Sequence, residues 1–213
     1  MSDFETMLDI SVGSDGTAFG IDNQQRVFKY SLQGWQRVDP DFEAVQIAVG
    51  DSENVWAIGA GELFTYKLEG NSFVQQPQGS KAIRISVGIA DPTQVWIVGT
   101  DTNTYKLENG SFVQTPSGSK ALEISVYDTT TVWIIGTDTN TYELKNGSFV
   151  QTPSGSEGKQ ISVDASENVW LIGTDDNYYK LVNGAFIRSS IPWEGSGLNS
   201  LLAANRLLRN RVK

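Results

Sequence analysis

An apolar tripeptide returns five times along this chain at nearly constant intervals: Ile10-Ser11-Val12, Ile47-Ala48-Val49, Ile85-Ser86-Val87, Ile124-Ser125-Val126 and Ile161-Ser162-Val163. The intervals are 37, 38, 39 and 37 residues. An aromatic follows each tripeptide (Phe19, Trp56, Trp96, Trp133, Trp170), then a tyrosine (Tyr30, Tyr66, Tyr105, Tyr142, Tyr179), then a second aromatic (Trp35, Phe73, Phe112, Phe149, Phe186). Four landmarks in one order across five copies mean that one supersecondary unit is repeated. A unit of about 38 residues cannot bury its own hydrophobic face, so the copies must pack on one another.

Each unit reads as four short strands. In the fourth copy these are 124–126, 132–136, 141–144 and 148–151, which are β-branched and aromatic runs. Asn146-Gly147 between the last two tolerates positive φ and signals a hairpin, and it recurs as Asn109-Gly110 and Asn183-Gly184. Pro153-Ser154-Gly155-Ser156 breaks the chain before the next unit, as Pro116-Ser117-Gly118-Ser119 does earlier. Four-stranded units at this period are the signature of propeller blades, stacked around an axis so that only short edges stay open. The expected fold is all-β: a β-propeller of about five four-stranded blades over residues 1–195, with the Ile-Ser-Val strands innermost. A twisted β-solenoid, or a six-fold ring completed by a partner, are the alternatives. Trp56, Trp96, Trp133 and Trp170, one per blade, read first as inter-blade packing and second as platforms for a ligand.

Composition narrows the chemistry. The 213 residues include no cysteine and no histidine, so disulfides, cysteine-based zinc sites and Ser-His-Asp or Cys-His catalysis are excluded. The formal charge is −9, which repels phosphate backbones and argues against nucleic-acid binding by the whole domain. No cofactor or metal is expected. Acidic residues are spread copy by copy with no unique pair, which favours several equivalent binding sites over one catalytic centre, and the protein is read as non-enzymatic. The start lacks the basic and apolar regions of a signal peptide, and no stretch approaches a membrane span, so the expectation is a soluble, cytoplasmic protein.

The first copy reads Ile10-Ser11-Val12-Gly13-Ser14-Asp15-Gly16-Thr17-Ala18-Phe19-Gly20-Ile21, then Val27-Phe28-Lys29-Tyr30, then Gly34-Trp35-Gln36-Arg37-Val38. This resembles the tectonin repeat. The pattern covers residues 10 to about 190 and is close in copy one. Copies two to five keep the strand residues but have Asp51-Ser52-Glu53-Asn54 or Asp164-Ala165-Ser166-Glu167-Asn168 in place of the Ser-Asp-Gly turn. Six-repeat tectonins are familiar, whereas this chain has five copies. The resemblance implies a small-bladed propeller and a lectin function, with sugar sites between adjacent blades and aromatic residues beside the sugar. Tectonin repeats also serve protein docking, so a protein-interaction scaffold is the second functional expectation.

Strands in a blade alternate direction, so the loops after strands two and four emerge at the same end. That rim holds Asp101 and Asn103, Asp138 and Asn140, and Asp175 and Asn177, beside the Pro-Ser-Gly-Ser turns. Short hydroxyl, amide and carboxylate groups suit the many donors and acceptors of a sugar, and these six residues are the expected ligand-binding set. The expected partner is a glycan or glycoprotein. The same residue types dominate any turn, and the Asp-x-Asn loops could hold calcium through oxygen, although they lack the carboxylate density of a tight site.

From residue 196 the pattern changes to a linker and a basic amphipathic helix. Leu201, Ala204, Leu208 and Val212 follow helical spacing, and Arg206, Arg209, Arg211 and Lys213 give the tail +4, leaving −13 for the rest. A helix over 199–211 is expected to pack on its own ring, or through Leu201, Leu208 and Val212 on a second copy or a partner.

Overall fold

The computed structural model describes residues 7–189. The expected basic helix, with Leu201, Leu208 and Val212, lies outside the described residues. The described chain forms five four-stranded antiparallel sheets, each a simple meander. They are blades one to five, spanning 7–37, 44–75, 82–114, 121–151 and 158–188. The fourth blade is typical. Its inner strand Ala121–Val126 pairs with Val132–Gly136, then Thr141–Lys145, then the outer strand Ser148–Gln151. Among the described residues, no helix is long and apolar enough to cross a membrane.

The inner strands carry the Ile-Ser-Val tripeptides and surround a central channel. One mouth of it is lined by Asp9, Gln46, Arg84, Glu123 and Gln160, one residue from each blade. Second strands such as Val132-Trp133-Ile134-Ile135-Gly136 are buried on both faces, which is why they read as unbroken apolar runs rather than alternating ones. Towards the rim the strands become half-exposed; Ser148–Gln151 has no fully buried residue.

The blades are joined by two repeated devices. The second-strand tryptophans of blades two to four pack edge-on against the outer-strand phenylalanine of the following blade: Trp56 on Phe112, Trp96 on Phe149 and Trp133 on Phe186, at centroid separations of 6.2–6.4 Å. The serine of the tripeptide supplies the second. Its buried hydroxyl accepts a hydrogen bond from the backbone N–H of the next blade's valine: Ser11 from Val49, Ser86 from Val126 and Ser125 from Val163, at 2.9–3.1 Å. A hydroxyl at a buried strand position is costly without such a partner. Among the described residues, Trp170 of the last blade packs on Ile172 and Tyr178 of its own blade, and it is 7% exposed. Correspondingly, Ile10 and Val12 of blade one are half-buried, where their four counterparts are buried.

One landmark is out of register. Tyr66, Tyr105, Tyr142 and Tyr179 lie opposite Gln75, Gln114, Gln151 and Arg188. In blade one that place belongs to Phe28, opposite Arg37, whereas Tyr30 pairs with Trp35, in the place of Leu68, Leu107, Leu144 and Leu181. Tyr30 is accordingly exposed. Blade one ends its second strand on Asp22 rather than glycine, and this buried carboxylate pairs with Arg26.

Candidate functional site

Blades three, four and five each carry the same pocket on the rim. It is built around the glycine that ends the second strand: Gly99, Gly136 and Gly173. A Cβ at these positions would fall 2.8–2.9 Å from the ring of Tyr105, Tyr142 or Tyr179, so glycine lets the tyrosine lie flat across the strand end. The following turn brings one residue to positive φ (Thr102 67°, Thr139 68°, Asp176 64°) and folds the aspartate back over the loop.

In that turn the expected ligand-binding residues are joined to one another. Asp138 accepts from the Asn140 backbone N–H (3.1 Å), the Asn140 side-chain amide (2.9 Å) and the Tyr142 hydroxyl (2.6 Å). Asp101 does the same with Asn103 and Tyr105, and Asp175 with Asn177 and Tyr179. These donors hold the carboxylates below their ordinary range. At Asp175 the Asn177 amide, then the Tyr179 hydroxyl, bring the value down to about 2. The same bond pushes the Tyr179 phenol up. Asp-x-Asn is therefore a latch that orients a tyrosine. Because each hydroxyl spends its proton on the aspartate, its oxygen keeps acceptor capacity for a ligand.

A carboxylate whose folded value is depressed stabilises its loop above its ordinary value of 3.8 and loses that contribution as pH falls towards 2. Replacing Tyr179 by Phe removes one of the donors. The Asp175 titration, followed by carboxyl carbon NMR, should then move back up towards the ordinary range. An unmoved midpoint would mean that the phenol is not the donor.

The opposite wall comes from the connection entering each blade: Gly79-Ser80-Lys81, Gly118-Ser119-Lys120 and Gly155-Ser156-Glu157. It is pinned by buried threonines of the preceding blade. Thr65, Thr104 and Thr141 donate their N–H to the carbonyls of Ser80, Ser119 and Ser156 at 2.9–3.2 Å. Ile97, Ile134 or Leu171 joins Phe112, Phe149 or Phe186 in the lining, and the cavities measure about 380, 350 and 330 Å³. The three differ in charge at one place, where Lys81 and Lys120 are replaced by Glu157.

The expected tryptophan platforms are closed: Trp56, Trp96, Trp133 and Trp170 are 1–7% exposed. The aromatic faces at the pockets are Tyr105 with Phe112, Tyr142 with Phe149, and Tyr179 with Phe186. These belong to the repeated landmarks, and their tie to the Asp-x-Asn loops is carried by the constant spacing of four residues from Asp101 to Tyr105, Asp138 to Tyr142 and Asp175 to Tyr179.

The channel mouth is a cavity of about 290 Å³, and its polar residues mostly fasten blade to blade. Asp9 accepts from the Ile47 N–H, Gln46 bonds both the N–H and the carbonyl of Ile85, and Arg84 pairs with Glu123. Among the described residues, no group of three or more acidic side chains is placed to hold a metal ion.

No family model and no curated protein matches this chain. Solved structures do. Virginiamycin B lyase from Staphylococcus aureus, in a catalytically inactive histidine-to-alanine form with quinupristin, superposes with a TM-score of 0.62 at 13% identity, covering 90% of this chain and 72% of that one. The WD40 β-propeller domain of Doa1 gives 0.59 at 11% identity, covering 90% and 85%. This chain is a β-propeller. YCF48 bound to D1 peptide gives 0.58 at 10% identity, covering 88% and 68%. At such identities the likeness is one of fold alone, and a fold does not fix a function.

Proposed function

We propose that this propeller is a non-enzymatic, carbohydrate-binding module of tectonin type with several like sites. The observation that carries the reading is the triplication of one pocket, with the same glycine, aspartate, tyrosine, phenylalanine and serine in three successive blades. An aromatic floor suits the apolar C–H face of a sugar ring. The tyrosine oxygen, the serine hydroxyl and the neighbouring backbone suit its hydroxyls. The partner is then a glycan or glycoprotein, and the acidic body disfavours nucleic acid.

A glycan array tests this directly: discrete sugars should be retained, and titration in solution should give about three sites per chain. Gly136→Ala should remove one of the three, because its methyl group would fall 2.6 Å from the Asp138 carboxylate and 2.8 Å from the Tyr142 ring and so displace both. A silent array would sink the carbohydrate reading. A protein-interaction scaffold would then take its place, a use favoured by the D1 peptide bound to the structurally similar YCF48.

A further inference from the structure

The entry to blade two, Asp39-Pro40-Asp41-Phe42, shares no residue position for position with the Pro-x-Gly-Ser entries of blades three to five, and it is the last residue that matters for the pocket. Phe42 precedes Glu43, which bridges to Arg26. In the same way Ser80 precedes Lys81, Ser119 precedes Lys120 and Ser156 precedes Glu157, each bridged to the preceding blade. The turn has a different backbone, with positive φ at Asp39 rather than at the third residue, but it closes with the same hydrogen bond. The Phe42 N–H donates to the Asp39 carbonyl at 3.0 Å, as those of Ser80, Ser119 and Ser156 donate to Pro77, Pro116 and Pro153 at 3.2–3.4 Å. Phe42 thus stands where the open pockets have serine.

Its ring fills the space that is empty in the other blades. It stacks on Phe73 at 4.4 Å and 21° and meets Tyr66 edge-on at 4.8 Å. Phe73 and Tyr66 are the counterparts of Phe112 and Tyr105 in blade three. Gly59 ends the second strand here too, and a Cβ there would fall 2.6 Å from the Tyr66 ring, but the following loop, Ala60-Gly61-Glu62-Leu63-Phe64, has no Asp-x-Asn latch. Phe42 is also held in place, because the Asp39 carboxylate accepts from the Phe73 N–H at 2.7 Å and so ties its turn to the outer strand.

We infer that blade two carries a fourth pocket of the same kind, closed by the chain's own Phe42, and that the residue at this position decides whether a blade binds. This deepens the reading of the three open pockets as binding sites. It also defines what they accept: a single six-membered ring, its face laid on the phenylalanine and its edge to the tyrosine. Aromatic stacking of this geometry is favourable beyond simple burial.

The test uses the full chain and two probes, benzyl alcohol and a panel of methyl pyranosides, located by crystal soaking and by chemical-shift changes of the pocket residues. In the unaltered protein, benzyl alcohol should occupy the pockets of Tyr105, Tyr142 and Tyr179 and leave blade two empty. Phe42→Ser should raise the occupied pockets from three to four, the new one between Tyr66 and Phe73. Ser119→Phe should lower them from three to two by closing blade four, and this arm stands even if Phe42→Ser does not fold. The inference is overturned if the three open pockets refuse benzyl alcohol, or if Ser119→Phe leaves blade four occupied. Should the aromatic probe distribute as expected while no pyranoside binds anywhere, the plug stands and the carbohydrate reading falls.

Discussion

Trp133→Ala should destabilise the protein by about 3–5 kcal/mol, the range for deleting a buried aromatic side chain. Trp133 is 2% exposed and joins Ile135 of its own blade to Ile161, Val163 and Val169 of the next. Its ring edge meets Phe186 at 6.2 Å, so truncation removes the joint between blades four and five and leaves a cavity that fixed strands cannot collapse into. Trp170→Ala is the internal comparison. Trp170 has the same strand position but, among the described residues, packs on Ile172 and Tyr178 of its own blade, so its loss should be smaller. Its indole N–H donates to Asp164 at 3.2 Å, a bond that Trp133 has no counterpart for, since Ser125 and Val126 run on into Tyr127 where blade five has Asp164. Denaturant melts of both variants should show midpoint shifts in that order at similar slope. Equal losses would mean that the tryptophans do not act through the following blade.

The propeller was legible because its signal is redundant. Period, aromatic landmarks and turn chemistry all point to four-stranded units, and five copies average out local irregularities. What failed was register at one place. Tyr30 stands 11 residues after Phe19, whereas Tyr105, Tyr142 and Tyr179 stand nine after their tryptophans, and that surplus of two moves it to the leucine place. Because strands alternate with period two, Tyr30 stays on the same face as Phe28 and the pattern looked intact.

The site was less legible, for a different reason. Asp101, Asp138 and Asp175 were visible as polar rim residues, but a sequence does not say whether a carboxylate faces a ligand or its own loop. Here the neighbouring amide and phenol take it, and the aromatic faces of the pockets are tyrosines and phenylalanines that the sequence shows only as repeat landmarks. The inter-blade serine bonds were equally silent: Ser86 and Ser125 look like ordinary alternation in an apolar strand, and their partners lie 40 and 38 residues away. Phe42 falls in the one connection whose sequence, Asp39-Pro40-Asp41-Phe42, does not match the Pro-x-Gly-Ser pattern of the others. Its meaning depends on knowing what lies opposite.

The largest functional effect should come from counting sites rather than from weakening any one. The three open pockets lie in successive blades at the same end of the ring, so on a densely glycosylated surface they can engage together. Linked weak sites gain avidity of about 10²–10⁴ over a single one when the geometry permits simultaneous contact. Gly99→Ala, Gly136→Ala and Gly173→Ala each place a methyl group within 2.8–2.9 Å of the tyrosine ring of one pocket and displace it. Combining two of them leaves one pocket. Against free sugar in solution, such a variant should keep the affinity of its remaining site and show about one site instead of three. Against the same sugar immobilised at high density, its retention should fall by orders of magnitude, mostly through faster dissociation. The fifth blade's pocket, with Glu157 in place of lysine, gives a further contrast, because an anionic sugar should prefer the variants that retain Lys81 or Lys120. A single-pocket variant that holds to the dense surface as tightly as the unaltered protein would show that the pockets do not act together, and that retention comes from another part of the molecule.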